Sequence, residues 1–362
     1  MKKSLLALAA LAAFAGTAFA ESSVTVYGTV DVGIVYEDNS FTSTPVGEST
    51  FKVSSGVLGG SRLGFRGVED LGGGMKGRFQ IETGFCADSA ADEGVSDGGS
   101  GTVNDDTCGG DGKLFGRTAI VGLDGGFGSV QLGRQYAPVY IHQESVDPFG
   151  NGLAGQIQNL FPIMQRLNNS VAYSTPAMGG LAASLAYGAG EVAGKTSTNR
   201  VIDGSVSYTA GPLYVGFAYV QRNDIRLDGA LNPGGEATAG NLGATYDFGM
   251  AKGHLMYQKS EDEDVNGVKG NEFDTVLIGA SVPLGQGNLM ASYIQHDDKL
   301  NTAPNDAHQT AIGYTYALSK RTQLYTAFAK ISNKNLSMET VGNATDVGSG
   351  DKAFNFGVAH NF

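Results

Sequence analysis

The sequence predicts an all-β chain closed into a transmembrane antiparallel β-barrel of about sixteen strands. Three observations carry this reading. Segments of about ten residues alternate apolar and polar side chains, which is the period of a strand with two different faces. Very short Gly-rich turns alternate strictly with long polar loops, as barrels with one tight rim and one elaborate rim do. Finally, every segment repeats the same half-apolar pattern and none offers a covering layer, which leaves lipid as the partner of the apolar face.

Residues 1–20 stand apart from this pattern. Lys2 and Lys3 precede a short apolar run, Leu5 to Ala15, and Ala18-Phe19-Ala20 forms a small-x-small site before Glu21. That is the pattern of a cleaved secretion signal, and the run is too short for a permanent anchor. Residues 21–362 then read as a single barrel domain. Gly fills 55 of 362 positions, about twice the usual share, without a collagen period. Such glycine suits tight turns and strand positions where neighbours approach closely. The net charge of −12 makes nucleic acid a poor partner.

In chain order, Val24, Val26, Val30, Val32, Ile34 and Tyr36 share one face of the first strand, and Tyr27, Thr29 and Asp31 the other. Asn39 to Gly60 reads as a loop. Ser61 to Phe85 is a hairpin around Asp70 to Gly74, with Leu63, Phe65, Phe79 and Ile81 opposite Arg62, Arg66, Arg78, Gln80 and Glu82. Cys86 and Cys108, the only cysteines, bracket an acidic Gly- and Ser-rich loop. In an exported chain they read as a disulfide that stabilises by about 3 kcal/mol on the chain-entropy model. Leu114 to Asp124 and Phe127 to Tyr136 follow around Gly125-Gly126. Residues 137–165 show no strand alternation, and a loop of that length in a tight architecture is functional or disordered.

The pattern then resumes. Leu167, Val171 and Tyr173 alternate with Arg166, Asn168 and Ser170. Hairpins are expected around Pro176 to Gly180, Ala210 to Pro212, Gly249-Met250, Leu284 to Gly287 and Ser319 to Arg321. The run Glu261 to Asp264 reads as a solvated external loop. Phe354, Phe356, Val358, His360 and Phe362 alternate with Asn355, Gly357, Ala359 and Asn361 in the last strand. Aromatics near strand ends, such as Tyr187, Tyr219 and Phe248, would form interfacial girdles.

Catalytic and metal signatures are weak. Gly72, Gly74 and Gly77 spell G-x-G-x-x-G, but a strand follows where a phosphate cradle needs a helix. Asp262, Asp264, Asn266 and Gly267 resemble the start of a calcium loop, yet its twelfth position is Phe273. His142, His254, His296, His308 and His360 have no metal-ligand spacing and no triad pattern around them. The expectation is therefore no catalytic residue, no metal and no cofactor.

Several stretches resemble the Gram-negative trimeric porins of beta-proteobacteria: SSVTVYGTVDVGI, SRLGFRGVEDLGGGMKG, RTAIVGLDGGFGSVQLGRQ, NNSVAYSTPAMGG, ALSKRTQLYTAFAKISN and the terminal FNFGVAHNF. The likeness runs along essentially the full chain. It implies a sixteen-stranded homotrimeric barrel in the outer membrane, in contact with lipid and lipopolysaccharide. Its third external loop, 137–165 here, would fold into the lumen, and small hydrophilic solutes and ions would diffuse through, often with anion preference. The terminal Phe362 would be read by the barrel-assembly machinery. The resemblance carries Arg62, Arg117 and Arg166 onto the family's basic constriction cluster.

The residues support that placement in part. Each of the three arginines lies near the start of a strand, and a mid-strand arginine facing lipid would cost roughly 2–4 kcal/mol. Arg66, Arg78 and Arg134 are possible secondary pore charges. Glu144 and Asp147 are expected to face the arginines across the narrowest point.

Overall fold

A computed structural model describes residues 23–38, 49–88, 114–161, 163–227, 229–300, 304–335, 337, 339–341 and 350–362. The expected signal segment and Cys108 lie outside the described residues. The strands are β1 (Ser23–Asp38), β2 (Ser49–Ser55), β3 (Arg62–Gly72), β4 (Met75–Gly84), β5 (Thr118–Gly125) and β6 (Gly128–Tyr136). A helix, α1 (Pro138–Val146), opens the long loop. There follow β7 (Arg166–Ser174), β8 (Leu181–Gly188), β9 (Val201–Ala210), β10 (Leu213–Ile225), β11 (Leu231–Asp247) and β12 (Lys252–Glu263). The chain ends with β13 (Lys269–Leu284), β14 (Gly287–Asp298), β15 (Ala307–Ala317), β16 (Thr322–Asn333) and β17 (Lys352–Asn361).

Every strand pairs antiparallel with its neighbour, and β1 pairs with β17 from Thr29↔Asn361 to Asp38↔Lys352, so the sheet closes on itself as a barrel. The other edge of β1 is shared: Val32–Asp38 pairs with β2 and Ser23–Thr29 with β3. Thus β2 and β3 are two halves of one barrel strand, interrupted at 56–61, and the barrel has sixteen strand positions built from seventeen segments. The expectation of a loop over Asn39 to Gly60 misses β2. Phe51 and Val53 carry the alternation there and point outward, but Gly56, at φ +73°, and Gly59-Gly60 break the pattern before it reaches hairpin length.

Outside, large apolar side chains such as Val121, Leu132, Leu185, Phe217, Leu255, Ile278 and Phe328 remain exposed, with no protein layer over them. Among the described residues no helix is long and apolar enough to cross a membrane. The spanning is done by strands.

Two strand regions run longer than hydrophobicity suggests. Glu261, Asp262 and Glu263 belong to β12, paired with β11 and β13, rather than to a loop. Beyond the lipid the backbone ladder continues while the apolar signal stops, and charged cross-strand pairs replace it. Lys259 lies 2.8 Å from Glu272, and Lys269 lies 2.7 Å from Glu261. Asp264 turns the hairpin by accepting the N–H groups of Asn266 and Val268; Asp262 is engaged by Arg226 and Asn271.

Residues 137–165 fold into the lumen and lie against the inner wall. The wall beneath them is apolar on its inner face too, a departure from the polar inner face expected of nearly every strand. Met256, Leu277, Met290, Ile294 and Ile331 join Val146, Phe149, Leu153, Ile157, Leu160 and Phe161 of the loop in one buried cluster. A second cluster joins Val139, Tyr140, Ile163 and Met164 to Val201, Ala218 and Val220. Each such side chain contributes roughly 1.5–3 kcal/mol on burial, so the loop is held as a part of the core.

Leu167 belongs to this second cluster and faces the lumen, not the outside with Val171 and Tyr173. Asn169, at φ +49°, and a register shift between Gly133 and Gln135 reverse the alternation there.

Candidate functional site

The helix α1 has one buried and one exposed face, though apolar and polar side chains occur on both. Val139, His142 and Val146 face the wall, while Ile141, Glu144 and Ser145 face the open lumen. Its first turn has no side-chain cap of its own. The Asp203 carboxylate on β9 supplies one by accepting the Val139 N–H at 3.0 Å. Further along, His142 bonds the Tyr214 hydroxyl at 2.8 Å, and His254 Nδ1 lies 2.8 Å from the Val146 carbonyl. Glycines on the wall leave room for the loop. A Cβ on Gly279 would lie 2.4 Å from Pro148, and one on Gly313 2.8 Å from Phe149.

Between this helix and the facing wall the lumen holds a cavity of about 680 Å³, lined by Arg62, Glu82, Arg117, Tyr136 and Glu144 and by residues 56–60 and 150–152. Arg117 Nε donates to Glu82 Oε1 at 2.8 Å, and its Nη2 donates to the Tyr136 hydroxyl at 2.9 Å. Arg166 donates to the same hydroxyl at 2.7 Å and stacks over the Tyr136 ring, 4.4 Å from its centroid. Arg62 Nε is 3.9 Å from Glu82 Oε2, and the Tyr27 hydroxyl donates to that same oxygen at 2.8 Å. Three guanidinium groups therefore gather around one phenol and one carboxylate. Arg117 and Arg166 are buried, while the Arg62 side chain keeps 30% of its exposure.

The expected site residues divide on this geometry. Arg62 and Arg117 line the cavity, as does Glu144 from α1, whereas Arg166 does not line it and joins the cluster through Tyr136. Partial burial raises the Glu144 pKa and the nearby Arg62 charge pulls it back. Asp147 does not line the cavity and is turned inward. Its buried carboxylate accepts the N–H groups of Phe149, Asn151 and Ile157 at 3.1, 2.9 and 3.1 Å, and burial pushes its pKa up to about 6. It shapes the loop instead of facing the arginines.

Arg66 lies over the Tyr27 ring, 5.1 Å from its centroid, and Arg78 pairs with Asp124 at 3.1 Å toward the short-turn rim. Arg134 binds the Gly116 carbonyl and Asn168, on the face opposite the lumen-facing Gln135. None of these three lines the cavity. Cys86 is disulfide-bonded, and Cys108, the other cysteine, lies outside the described residues. Phe362 closes the barrel seam, exchanging backbone hydrogen bonds with Gly28.

Sequence reasoning missed Glu82, Tyr136 and Tyr27 as members of the cluster. A signal existed for Glu82: alternation puts it on the lumen face, and the register sets it opposite Gly64, beside Arg62 and Thr118. Tyr136 offered none, since its role depends on where the loop after it turns.

The sequence profile of the Gram-negative porins matches residues 7–336. Outer membrane porin protein 32 of Delftia acidovorans is 36% identical, over 93% of this chain and 91% of its own. An outer membrane porin of Bordetella pertussis is 33% identical, over 97% of this chain and 99% of its own. Among solved structures, the anion-selective porin from Comamonas acidovorans superposes with a TM-score of 0.78 at 29% identity, over 94% of this chain and all of the other. With a closed sixteen-position barrel, an apolar exterior and a polar passage narrowed by an infolded loop, the chain belongs to the Gram-negative porin family and forms an outer-membrane channel for passive diffusion of small hydrophilic solutes.

Proposed function

We propose that the channel prefers anions modestly, and that Arg62, Arg117 and Arg166 set this preference at the constriction. The observation that carries the reading is the gathering of three guanidinium groups around Tyr136 and Glu82: Arg62 and Arg117 line the cavity beside the carboxylates Glu82 and Glu144, and Arg166, joined to it through Tyr136, tips the local balance to positive by one charge. Low-dielectric walls and a narrow passage concentrate their field on a passing ion. The relative solved as an anion-selective porin supports it.

The strongly acidic chain argues for cations, but many of its acids fall in two runs of the sequence, between the two cysteines and at Glu261 to Asp264. Charges farther from the constriction than a Debye length of about 8 Å are largely screened at physiological salt. Anion preference is therefore expected at physiological salt, drifting toward cations at low salt. The test is the reversal potential across a planar bilayer under a salt gradient. Replacing all three arginines with Gln abolishes the anion preference while the barrel stays folded. Cation preference in the unmutated channel at physiological salt refutes the assignment.

The same reading includes a homotrimer, supported by family likeness. A heat-sensitive trimer in mild detergent is the expected form. It also includes export by a cleaved leader over residues 1–20 and a Cys86–Cys108 disulfide that shapes an external loop.

A further inference from the structure

Asp31 sits on the lumen face of β1 and is wholly buried. Its carboxylate is filled from two directions. Oδ2 accepts the N–H groups of Leu58 and Gly59 at 2.7 and 2.8 Å, and Oδ1 accepts the Tyr325 hydroxyl at 2.6 Å. Its main chain points the same way. The carbonyl accepts the Gly56 N–H at 2.9 Å and the Ser61 hydroxyl at 3.1 Å, while its N–H donates to Ser61 Oγ at 3.0 Å. Oδ2, the N–H and the carbonyl of this residue thus serve the interruption between β2 and β3, and Oδ1 ties it to Tyr325.

Tyr325 belongs to β16, and its side chain crosses β17 to reach Asp31 on β1. It does so over two glycines. A Cβ on Gly357 would lie 2.2 Å from the hydroxyl, and one on Gly33 2.6 Å from it. Approaches that close are tolerated by no other residue type. The wall is therefore cleared along the path from Tyr325 to Asp31.

The segment so held touches both sides of the constriction. Arg62 follows it directly and donates through Nη1 to the Gly60 carbonyl at 3.0 Å. On its other side, the Val57 carbonyl accepts the Leu153 N–H at 2.8 Å, and Gly152 packs on the Leu58 carbonyl so closely that a Cβ would lie 2.2 Å away. The middle of the infolded loop, six to seven residues beyond α1, is seated here.

We propose that Asp31 and Tyr325 are positioning residues for permeation. Their bond holds the strand interruption inward, and through it fixes both the guanidinium of Arg62 and the middle of the lumen loop at Gly152 and Leu153. Neither residue lines the cavity, so neither meets the passing ion, and the Asp31 charge is spent on three donors. The pore-size part of this inference stands alone; the part concerning charge rests on the arginine reading above.

The test uses the full-length folded channel in planar bilayers, with heat-dependent gel mobility as the check on folding. Tyr325→Phe keeps the ring over Gly33 and Gly357 and removes only the hydroxyl. It is expected to fold, to change the unit conductance with added open-channel noise, and to move the reversal potential toward zero. Asp31→Asn should move both in the same direction, and the double variant should go no further than Asp31→Asn alone, because one bond is lost in each. Wild-type conductance and reversal potential in Tyr325→Phe overturn the proposal, as do effects of the two variants that simply add. A changed conductance with an unmoved reversal potential keeps the clamp and removes its role in placing Arg62. Absent anion preference in the unmutated channel counts against the arginine reading alone, since conductance still decides the clamp. Should Asp31→Asn fail to fold, Gly357→Ala, which displaces the hydroxyl from the wall side, takes its place in the comparison.

Discussion

Glu82→Gln isolates the one carboxylate placed among the constriction arginines, 2.8 Å from Arg117 and 3.9 Å from Arg62. The change is isosteric and removes a full negative charge from the wall of the cavity. An ion passing at about 8 Å interacts with that charge by about 0.5 kcal/mol in bulk water, and by about 1 kcal/mol at half that dielectric. The anion gains and the cation loses this energy, so removing the charge shifts the anion-to-cation permeability ratio upward by roughly 5- to 30-fold. The change costs stability as well. Arg117 is buried and exchanges a carboxylate for a neutral amide oxygen, a loss of about 1–3 kcal/mol. The assay is the reversal potential under a salt gradient, with the temperature of barrel unfolding measured alongside. A permeability ratio unchanged or lowered by Glu82→Gln, in a barrel that still folds, refutes the view that charges in this cluster set selectivity.

Two further outcomes follow from how the lumen loop is held. Burial pushes the His142 imidazole down to about 4 and the Asp147 carboxyl up to about 6, each worth about 3 kcal/mol of linkage. The signs oppose: His142 favours the docked loop above its unperturbed pKa and loses this as pH falls toward 4. Asp147 favours docking when protonated, so that its contribution is lost as pH rises from about 4 to 6. Wild-type open-channel noise should thus change little between pH 6 and 4, whereas Asp147→Asn, leaving His142 unopposed, should grow noisier on acidification; equal pH profiles would contradict the argument. Gly279→Ala places a methyl 2.4 Å from Pro148 and should displace the loop into the passage at about 1–3 kcal/mol, seen as a smaller unit conductance in a folded barrel. A conductance equal to wild type would show that the loop yields without narrowing the pore.

Much of the fold was legible in residue order alone. Alternation at period two distinguishes an apolar face from a polar one at each strand, and Gly-rich turns such as Asp70 to Gly74 mark the reversals, so strand number, closure and lipid-facing residues follow from local pattern. Arg62, Arg117 and Arg166 could be placed near one rim because each sits near a strand start. Where local pattern ends, so does that legibility. The strand Ser49–Ser55 is short and followed by glycines, and the charged ends of β12 and β13 lie beyond the lipid that makes alternation visible.

The constriction itself was decided by tertiary structure. Asp147 and Glu144 are three residues apart and chemically alike, yet one caps its own loop while the other meets the lumen, because the loop's path over the Gly279 and Gly313 wall turns them in different directions. Tyr325 and Asp31 are 294 residues apart, and Glu82 reaches Arg117 across a 35-residue separation. Barrel closure alone brings β16 within reach of β1, and the meeting of such groups depends on the sum of register, tilt and infolding around the whole ring. A strand's own sequence specifies which face each side chain takes; the closed barrel specifies what that side chain finds there.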